Sequence, residues 1–197
     1  RKYDELTETV FSPLYEALAE MFLRMVNIVN GFYIDVGTGN GALVRAVVKK
    51  CVKVYACAID ISLEALKYAY KHVYSEKLSD RIDLVLCDVH SLPFRSSVAD
   101  LITSRGSAYF WDDKPKAFRE IYRVQKPGGI SFIGGGFGSQ EVKRHIMERM
   151  RVIDPDWKPK GLTRRVNFRE ALSEAGIDSY EILEDEANLW VILKKDS

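Results

Sequence analysis

Short β-branched runs alternate with longer amphipathic stretches along this chain. Apolar residues that alternate or run together over four to seven positions read as strands, and those recurring every third or fourth position read as helices. Ser12-Pro13 sets a capping residue before a proline suited to a first helical turn. Leu14, Leu18, Phe22 and Met25 follow at helical spacing, and Asn30-Gly31 reads as the stop. A strand over 32–36 then runs into a glycine loop and a helix over 41–50. The pattern continues with a strand over 53–59 and a helix capped by Ser62 that carries Leu63, Leu66 and Tyr70. Further strands fall at 82–86 and 98–103. A helix over 114–124 ends before the turn signal Lys126-Pro127-Gly128-Gly129, and a fifth strand follows at 130–133. After it come a basic helix at 140–151, an irregular stretch at 154–166 and a short helix at 168–175 stopped by Gly176. Two last β-like runs, 180–183 and 188–193, are close enough to pair as a hairpin.

This order predicts an α/β protein with a Rossmann-like, doubly wound, mostly parallel seven-stranded sheet whose C-terminal edge is an antiparallel hairpin. Residues 1–30 read as a helical lid segment and 31–197 as the main domain. The length of 197 residues suits one such domain. Lys and Arg total 29 against 28 Asp and Glu, and a net charge of +1 argues against a dedicated nucleic-acid binder. Three cysteines without a CxxC or a Cys/His cluster give no reason to expect a disulfide framework or a metal site. No apolar run approaches the roughly 18 residues that would span a bilayer, and the first ten residues lack a signal-peptide core. The expected setting is cytoplasmic.

The strongest chemical signal is Asp35-Val36-Gly37-Thr38-Gly39-Asn40-Gly41, a strand entering Gly-x-Gly-x-Gly before a helix. Such a loop brings main-chain N–H groups close to a ligand at a helix N-terminus. Asp60 ends the second strand, 21 residues after Gly39, where a carboxylate suits the two ribose hydroxyls of a nucleotide. That pair fits a dinucleotide or an adenosyl cofactor equally well. Asp35 separates them, because a carboxylate at the loop mouth repels a pyrophosphate and attracts an ammonium. Asp88 ends the third strand and suits the exocyclic amine of adenine.

With these motifs in view the sequence resembles class I S-adenosylmethionine-dependent methyltransferases of the small-molecule type 11 group, and is similar to the quinone-biosynthesis C-methyltransferases. The matching stretches are Asp35–Gly41, Ala58–Ile61, Cys87–Phe94, Ala99–Ser104 and Ile121–Gly129 with Glu120 before it. The resemblance implies S-adenosyl-L-methionine as cofactor. It assigns Asp35 to the methionine amino group, Gly37, Thr38, Gly39 and Ile61 to the cofactor, Asp60 to the ribose, Asp88 to the adenine amine with the Val89 backbone on the ring, and Ser104 to the neighbourhood of the transferred methyl. The absence of Asn-Pro-Pro-Tyr after the fourth strand departs from the amino-methylating adenine and glutamine enzymes.

Methyl transfer from a sulfonium needs alignment and desolvation, and needs a base only if the acceptor must lose a proton. His90 and Tyr109 are the candidate catalytic groups. Tyr15, Tyr109, Trp111 and His145 are the candidate contacts to a small acceptor, while His72 reads as solvated. The Gly134-Gly135-Gly136-Phe137-Gly138 run suggests a close backbone approach or a hinge. Residues 143–165 carry eight Lys/Arg against three acids, a basic patch suited to an anionic acceptor or a partner. Two other functions fit the same loop: an NAD(P)-dependent oxidoreductase and a non-catalytic adenosyl-binding partner subunit.

Overall fold

The computed structural model describes residues 2–26, 28, 30–158 and 167–196. The elements run α1 (Lys2–Thr9), α2 (Ser12–Val26), β1 (Gly31–Val36), α3 (Ala42–Lys50), β2 (Val54–Asp60), α4 (Leu63–Ser75), β3 (Ile82–Leu86) and β4 (Ala99–Arg105). They continue as a 3₁₀ turn (Ala108–Phe110), α5 (Lys114–Val124), β5 (Gln125–Gly136), α6 (Gln140–Ile153), α7 (Phe168–Ala175), β6 (Tyr180–Glu184) and β7 (Asn188–Lys194). The strands form one seven-stranded sheet in the order β3-β2-β1-β4-β5-β7-β6. The first five are mutually parallel, and β7 pairs antiparallel with both β5 and β6. The Rossmann-like architecture and the antiparallel C-terminal edge are as expected.

The period of two divides the core into two layers. Tyr33, Phe132, Trp190 and Ile192 face the layer that holds Leu14, Leu18, Val44 and Val47. Ile34, Val36, Ile133, Val191 and Leu193 face the layer that holds Phe118, Ile121 and Leu172. Phe22 of α2 stacks on Phe132 at 4.4 Å between ring centroids and meets Trp190 edge-on at 5.1 Å. Helix α2 therefore packs into the core, with Leu14, Leu18 and Phe22 fully buried.

Local signals start the helices where expected. The side chains of Ser62, Asp113, Ser139 and Asn167 accept main-chain N–H groups of the first turns of α4, α5, α6 and α7. The end of α2 differs: the helix stops at Val26, and Gly31 opens β1 instead of closing the helix. A tertiary contact fixes Gly31 at the start of the strand. The Asp100 carboxylate accepts the Phe32 N–H at 2.7 Å and pairs with Lys126 at 2.8 Å. A Cβ at Gly31 would lie 2.6 Å from that carboxylate. Strand β5 is also longer than expected. The Lys126–Gly129 turn leaves the β4 ladder as an irregularity and the strand resumes, so Ala99 pairs with Gln125 but Leu101 with Ile130.

Candidate active site

The carboxyl ends of β1, β2, β3 and β4 open along one edge of the sheet, and each delivers a polar residue there. Between β1 and α3 the chain turns through Gly37 and Gly39, at φ of 68° and 60°, a region that L side chains rarely enter. Gly37 packs against Ser107, where a Cβ would come 2.4 Å from the serine Cβ. Gly39 has no neighbouring atom within 4 Å of such a Cβ, so its face is open to a ligand.

Asp35 lies beneath this loop and is 2% exposed. Its Oδ2 accepts the Thr38 hydroxyl at 2.7 Å and its Oδ1 accepts the Thr103 hydroxyl at 2.5 Å. Thr103 has one hydroxyl hydrogen and commits it to Asp35. The Tyr33 phenol, 2.6 Å away, must therefore donate to Thr103. The result is a directed chain, Tyr33 to Thr103 to Asp35. Burial raises the Asp35 carboxyl to about 6, and these hydroxyls only partly oppose the rise. No cation is among the causes of that shift. A buried carboxylate under an open glycine loop, supported by hydroxyls alone, fits a ligand that brings its own positive charge.

Asp60 stitches the loop from the neighbouring strand. Its Oδ2 accepts the Gly39 N–H and its Oδ1 accepts the Ser62 N–H, each at 2.9 Å. The next residue, Ile61, is 71% exposed, an apolar surface beside that carboxylate. Asp88 follows β3, and its side chain is 47% exposed. Its Oδ1 accepts both the His90 N–H at 2.9 Å and the His90 ring Nδ1 at 2.6 Å. Those contacts hold the Asp88 carboxyl below its usual range, the main-chain bond contributing most. Val89 is buried in the core layer beside them.

The structure does not bring His90 and Tyr109 together. His90 follows β3 at the sheet edge, whereas Tyr109 follows β4, three strands away. Tyr109 is buried against Phe168 at 5.8 Å, and burial pushes its phenol up to about 12. A phenol there stays protonated at neutral pH, so it can position a group but does not serve as a ready base. Trp111 is buried edge-on against Phe118 at 6.0 Å, within the core layer of α5. Ser104 is fully buried with its hydroxyl 2.6 Å from that of Ser107. His145 is exposed on α6. Tyr15 of α2 is buried, with its ring under the guanidinium of Arg105.

Several expectations change. His72 is not solvated: its Nε2 lies 2.9 Å from Asp4 on α1. Asp4 also accepts the Asn40 side-chain amide of the glycine loop at 2.8 Å, so the first helix is tied to that loop. Asp4, Glu8 and His72 form a set of potential metal ligands, but neighbours engage each of them, and Glu8 pairs with the buried Arg45. Gly134 and Gly136 of β5 answer to β7, and Gly135 lies against the Tyr109 ring. A Cβ at Gly134 would lie 2.1 Å from the Leu189 carbonyl oxygen, and one at Gly136 would lie 2.3 Å from the Asn188 side chain. Of the basic patch, Lys143 donates to the Glu186 carbonyl, and Arg144, Arg149, Arg151 and Lys158 are exposed; Lys160, Arg164 and Arg165 lie outside the described residues. Arg105, absent from the candidates, stands at the end of β4 among Tyr15, Gly136 and Tyr109.

The fold and this edge define a nucleotide-type α/β domain whose loop is built for a cationic adenosyl ligand and not for a pyrophosphate. Residues 34–133 match the family described as methyltransferase domain, and the chain belongs to that family. A solved structure from Methanococcus maripaludis, provisionally assigned as an S-adenosyl-L-methionine-dependent methyltransferase, is 39% identical. It superposes with a TM-score of 0.92 over 100% of this chain and 91% of that one. A release factor glutamine methyltransferase of Rhodopirellula baltica is 31% identical over 71% of this chain and 46% of its own length. A human mitochondrial arginine hydroxylase is 32% identical over 72% of this chain and 37% of its own length. The chain thus spans less than half of those two relatives. Their names give different reactions on different side chains, so the likeness carries no acceptor to this chain. S-adenosyl-L-methionine is the cofactor of this domain. Among the described residues no helix is long and apolar enough to cross a membrane.

Proposed function

We propose that this protein transfers a methyl group from S-adenosyl-L-methionine to a small acceptor held over the carboxyl ends of β4 and β5. The observation that carries the reading is Asp35: a buried carboxylate with no cationic partner among the causes of its shift, placed directly under the open glycine loop. A dinucleotide would set a pyrophosphate against that charge, which disfavours the oxidoreductase reading.

When bound, the cofactor supplies an activated methyl on a sulfonium, so the chain has to bind, orient and exclude water. In this reading Asp35 supplies fixed negative charge from below the loop, relayed at its surface by Thr38. Gly37, Thr38 and Gly39 offer main chain to the methionine end, and Asp60 takes the ribose hydroxyls in exchange for its present N–H partners. Ile61 covers one face of the adenine, and Asp88 with the Val89 main chain meets its edge. His90, already bonded to Asp88, orients that carboxylate and stands on the adenine side. Ser104 lies beneath the methyl position, and Tyr109 and Tyr15 border the acceptor. Trp111 stays in the core against Phe118, and His145 stands outside this border. Of the N-terminal segment, α1 meets the glycine loop through Asp4, while α2 is part of the core and lends Tyr15 to the acceptor side. The thiols of Cys57 and Cys87 suit a reducing compartment such as the cytoplasm.

The test is calorimetric titration of the protein with S-adenosylmethionine, S-adenosylhomocysteine, NAD and NADP, with Asp60→Ala as control. Binding of the adenosyl ligands alone, weakened in the variant, is expected. Binding of a nicotinamide dinucleotide overturns the reading. Tight cofactor binding without methyl transfer to any acceptor class favours a non-catalytic partner subunit.

A further inference from the structure

The partly buried arginines of the described chain are well matched, with one exception. Arg45 lies between Glu8 and Glu76. Arg123 pairs with Glu120 at 2.7 Å and donates to the Phe94 and Leu92 carbonyls at 2.8 and 3.1 Å. Arg81 donates to the Val48 carbonyl at 2.9 Å and to that of Val52 at 3.2 Å. Arg105 differs. Its Nε lies 3.4 Å from the Gly136 carbonyl and its Nη1 lies 3.4 Å from the Tyr15 hydroxyl. Both bonds are at the long end of the range, whereas Arg81, whose partners are also neutral carbonyls, holds its nearest at 2.9 Å. Among the described residues no carboxylate forms an ion pair with it.

The surroundings fix the guanidinium in place. Its Cζ lies 5.2 Å from the centre of the Tyr15 ring, a cation–π arrangement that orients the planar group. Tyr109 is near enough for the positive charge to act on its phenol, and the Tyr109 ring lies over Gly135. A guanidinium held this way, half out of water and without a counter-charge, is costly unless an anion arrives to pair with it.

Its position decides which anion. Of the carboxylates of the cofactor site, Asp35 and Asp60 belong to β1 and β2, and Asp88 follows β3. Arg105 ends β4 and pairs in register with Gly134 of β5, on the other side of β1 in the sheet. The residues around it, Tyr15 and Tyr109, are those expected at the acceptor. One arginine with a planar fork matches one carboxylate, whereas a phosphate dianion usually recruits more than one cation.

We infer that the acceptor of this methyltransferase carries a carboxylate, that Arg105 binds it as a bidentate partner, and that this selects small carboxylic acids over their neutral analogues. The inference rests on the methyl-transfer reading and adds the substrate class.

The experiment compares wild type, Arg105→Gln and Arg105→Lys. S-adenosylhomocysteine affinity is measured first. Labelled methyl transfer is then followed with a panel of small carboxylic acids, each matched with its primary amide and with a phosphorylated counterpart. Thermal stabilisation of the homocysteine complex by every panel compound is recorded in parallel. S-adenosylhomocysteine binds all three proteins within about twofold, which also shows that the variants fold. Acids are methylated, or at least stabilise the complex, while amides do neither. Arg105→Gln lowers kcat/KM for the acids by about 30-fold or more, the loss expected when one partner of a hydrogen-bonded charge pair is removed. Arg105→Lys, which keeps the charge and loses the fork, falls in between. A loss of S-adenosylhomocysteine affinity in Arg105→Gln would overturn the inference by assigning the guanidinium to the cofactor's own carboxylate. Turnover or binding of amides or phosphates alone would overturn it too, as would acid turnover indifferent to the substitution. So would a panel in which no acid shows an Arg105-dependent effect. Failure of wild type to bind S-adenosylhomocysteine is a separate result and sinks the methyl-transfer reading itself.

Discussion

Thr103 and Asp35 are register partners on β4 and β1, and the Thr103 hydroxyl donates to the buried Asp35 carboxylate at 2.5 Å. The bond joins the strand of the cofactor loop to the strand that ends in Arg105. It also leaves Asp35 partly ionised near neutrality, with its carboxyl raised to about 6 by burial. A titration within the physiological range under the cofactor loop has consequences for binding.

Cofactor affinity should fall on acidification. Above pH 6 Asp35 is ionised and attracts the ligand ammonium; below it the proton and the ligand compete. Affinity for S-adenosylhomocysteine should be flat above pH 7 and then weaken by up to about tenfold per pH unit below 6, the slope for one proton. The unliganded protein responds in the opposite sense. A carboxyl whose folded pKa lies above its usual 3.8 binds its proton more tightly when folded, so this group adds stability as pH falls from 7 towards 4. The gain in Tm from the ligand should therefore shrink between pH 7.5 and pH 5. Asp35→Asn should remove the pH dependence and weaken binding by about tenfold or more. A pH-independent affinity in the wild type would refute the role given to Asp35.

Removing Thr103 should cost more than removing Tyr33 along with it. Thr103→Val strips the carboxylate of a donor and takes away the 2.6 Å acceptor of the buried Tyr33 phenol, which is left with Asp35. Each lost partner costs up to about 1–3 kcal/mol. The double variant Tyr33→Phe/Thr103→Val removes the phenol as well, so it should be the more stable of the two. Urea denaturation of the wild type, both single variants and the double variant measures the coupling. Strict additivity would show that the three groups do not act as a chain.

Much of this was legible from local pattern. The strand at 82–86, the helix at 114–124 and the helix at 168–175 lie where periodicity and capping residues put them, because each start and stop is chemically local. The three strand-end aspartates follow from the strands themselves. What depends on distant partners was not legible. Gly134 and Gly136 looked like room for a ligand, yet β7, some fifty residues later, needs that space. His72 looked solvated until α1 supplied Asp4. Arg105 could be seen at a strand end, but its lack of a counter-ion emerges only once the surrounding side chains are in place. A charged residue at the carboxyl end of a parallel strand was the available signal.

A second clamp acts on the adenine side. Glu120 of α5 accepts the Leu92 N–H at 2.8 Å, while Arg123, paired with it, donates to the carbonyls of Leu92 and Phe94. Together they hold the loop that follows Asp88. Leu92 is buried there, but the loop has no strand pairing of its own. Arg123→Ala should leave the loop carbonyls unmatched and lower S-adenosylhomocysteine affinity several-fold, with a modest loss of stability of about 1 kcal/mol, since the side chain is partly exposed. Hydrogen exchange should rise at residues 90–95 more than in β1. Unchanged exchange there, with unchanged affinity, would make the pair a surface ornament.

The first helix should report on the state of the glycine loop. Asp4 bridges His72 on α4 and Asn40 in the loop, so a movement of Asn40 is felt by α1. Burial raises the Asp4 carboxyl, but the hydrogen bonds from Asn40 and His72 outweigh it and hold the group below its usual range. For such a group the stabilisation is present above its unfolded pKa of 3.8 and is lost as pH falls through the lower folded value. This contact therefore persists at pH 5, where Asp35 is already protonating. Asp4→Ala should speed hydrogen exchange across residues 2–9 at neutral pH with little change in Tm, because α1 is short and adds little to the core. Saturation with S-adenosylhomocysteine, by fixing Asn40, should slow exchange of α1 in the wild type and have no such effect in Asp4→Ala. Equal protection of α1 by the ligand in both proteins would show that the helix is held by its apolar contacts alone and that the Asp4–Asn40 bond carries no coupling.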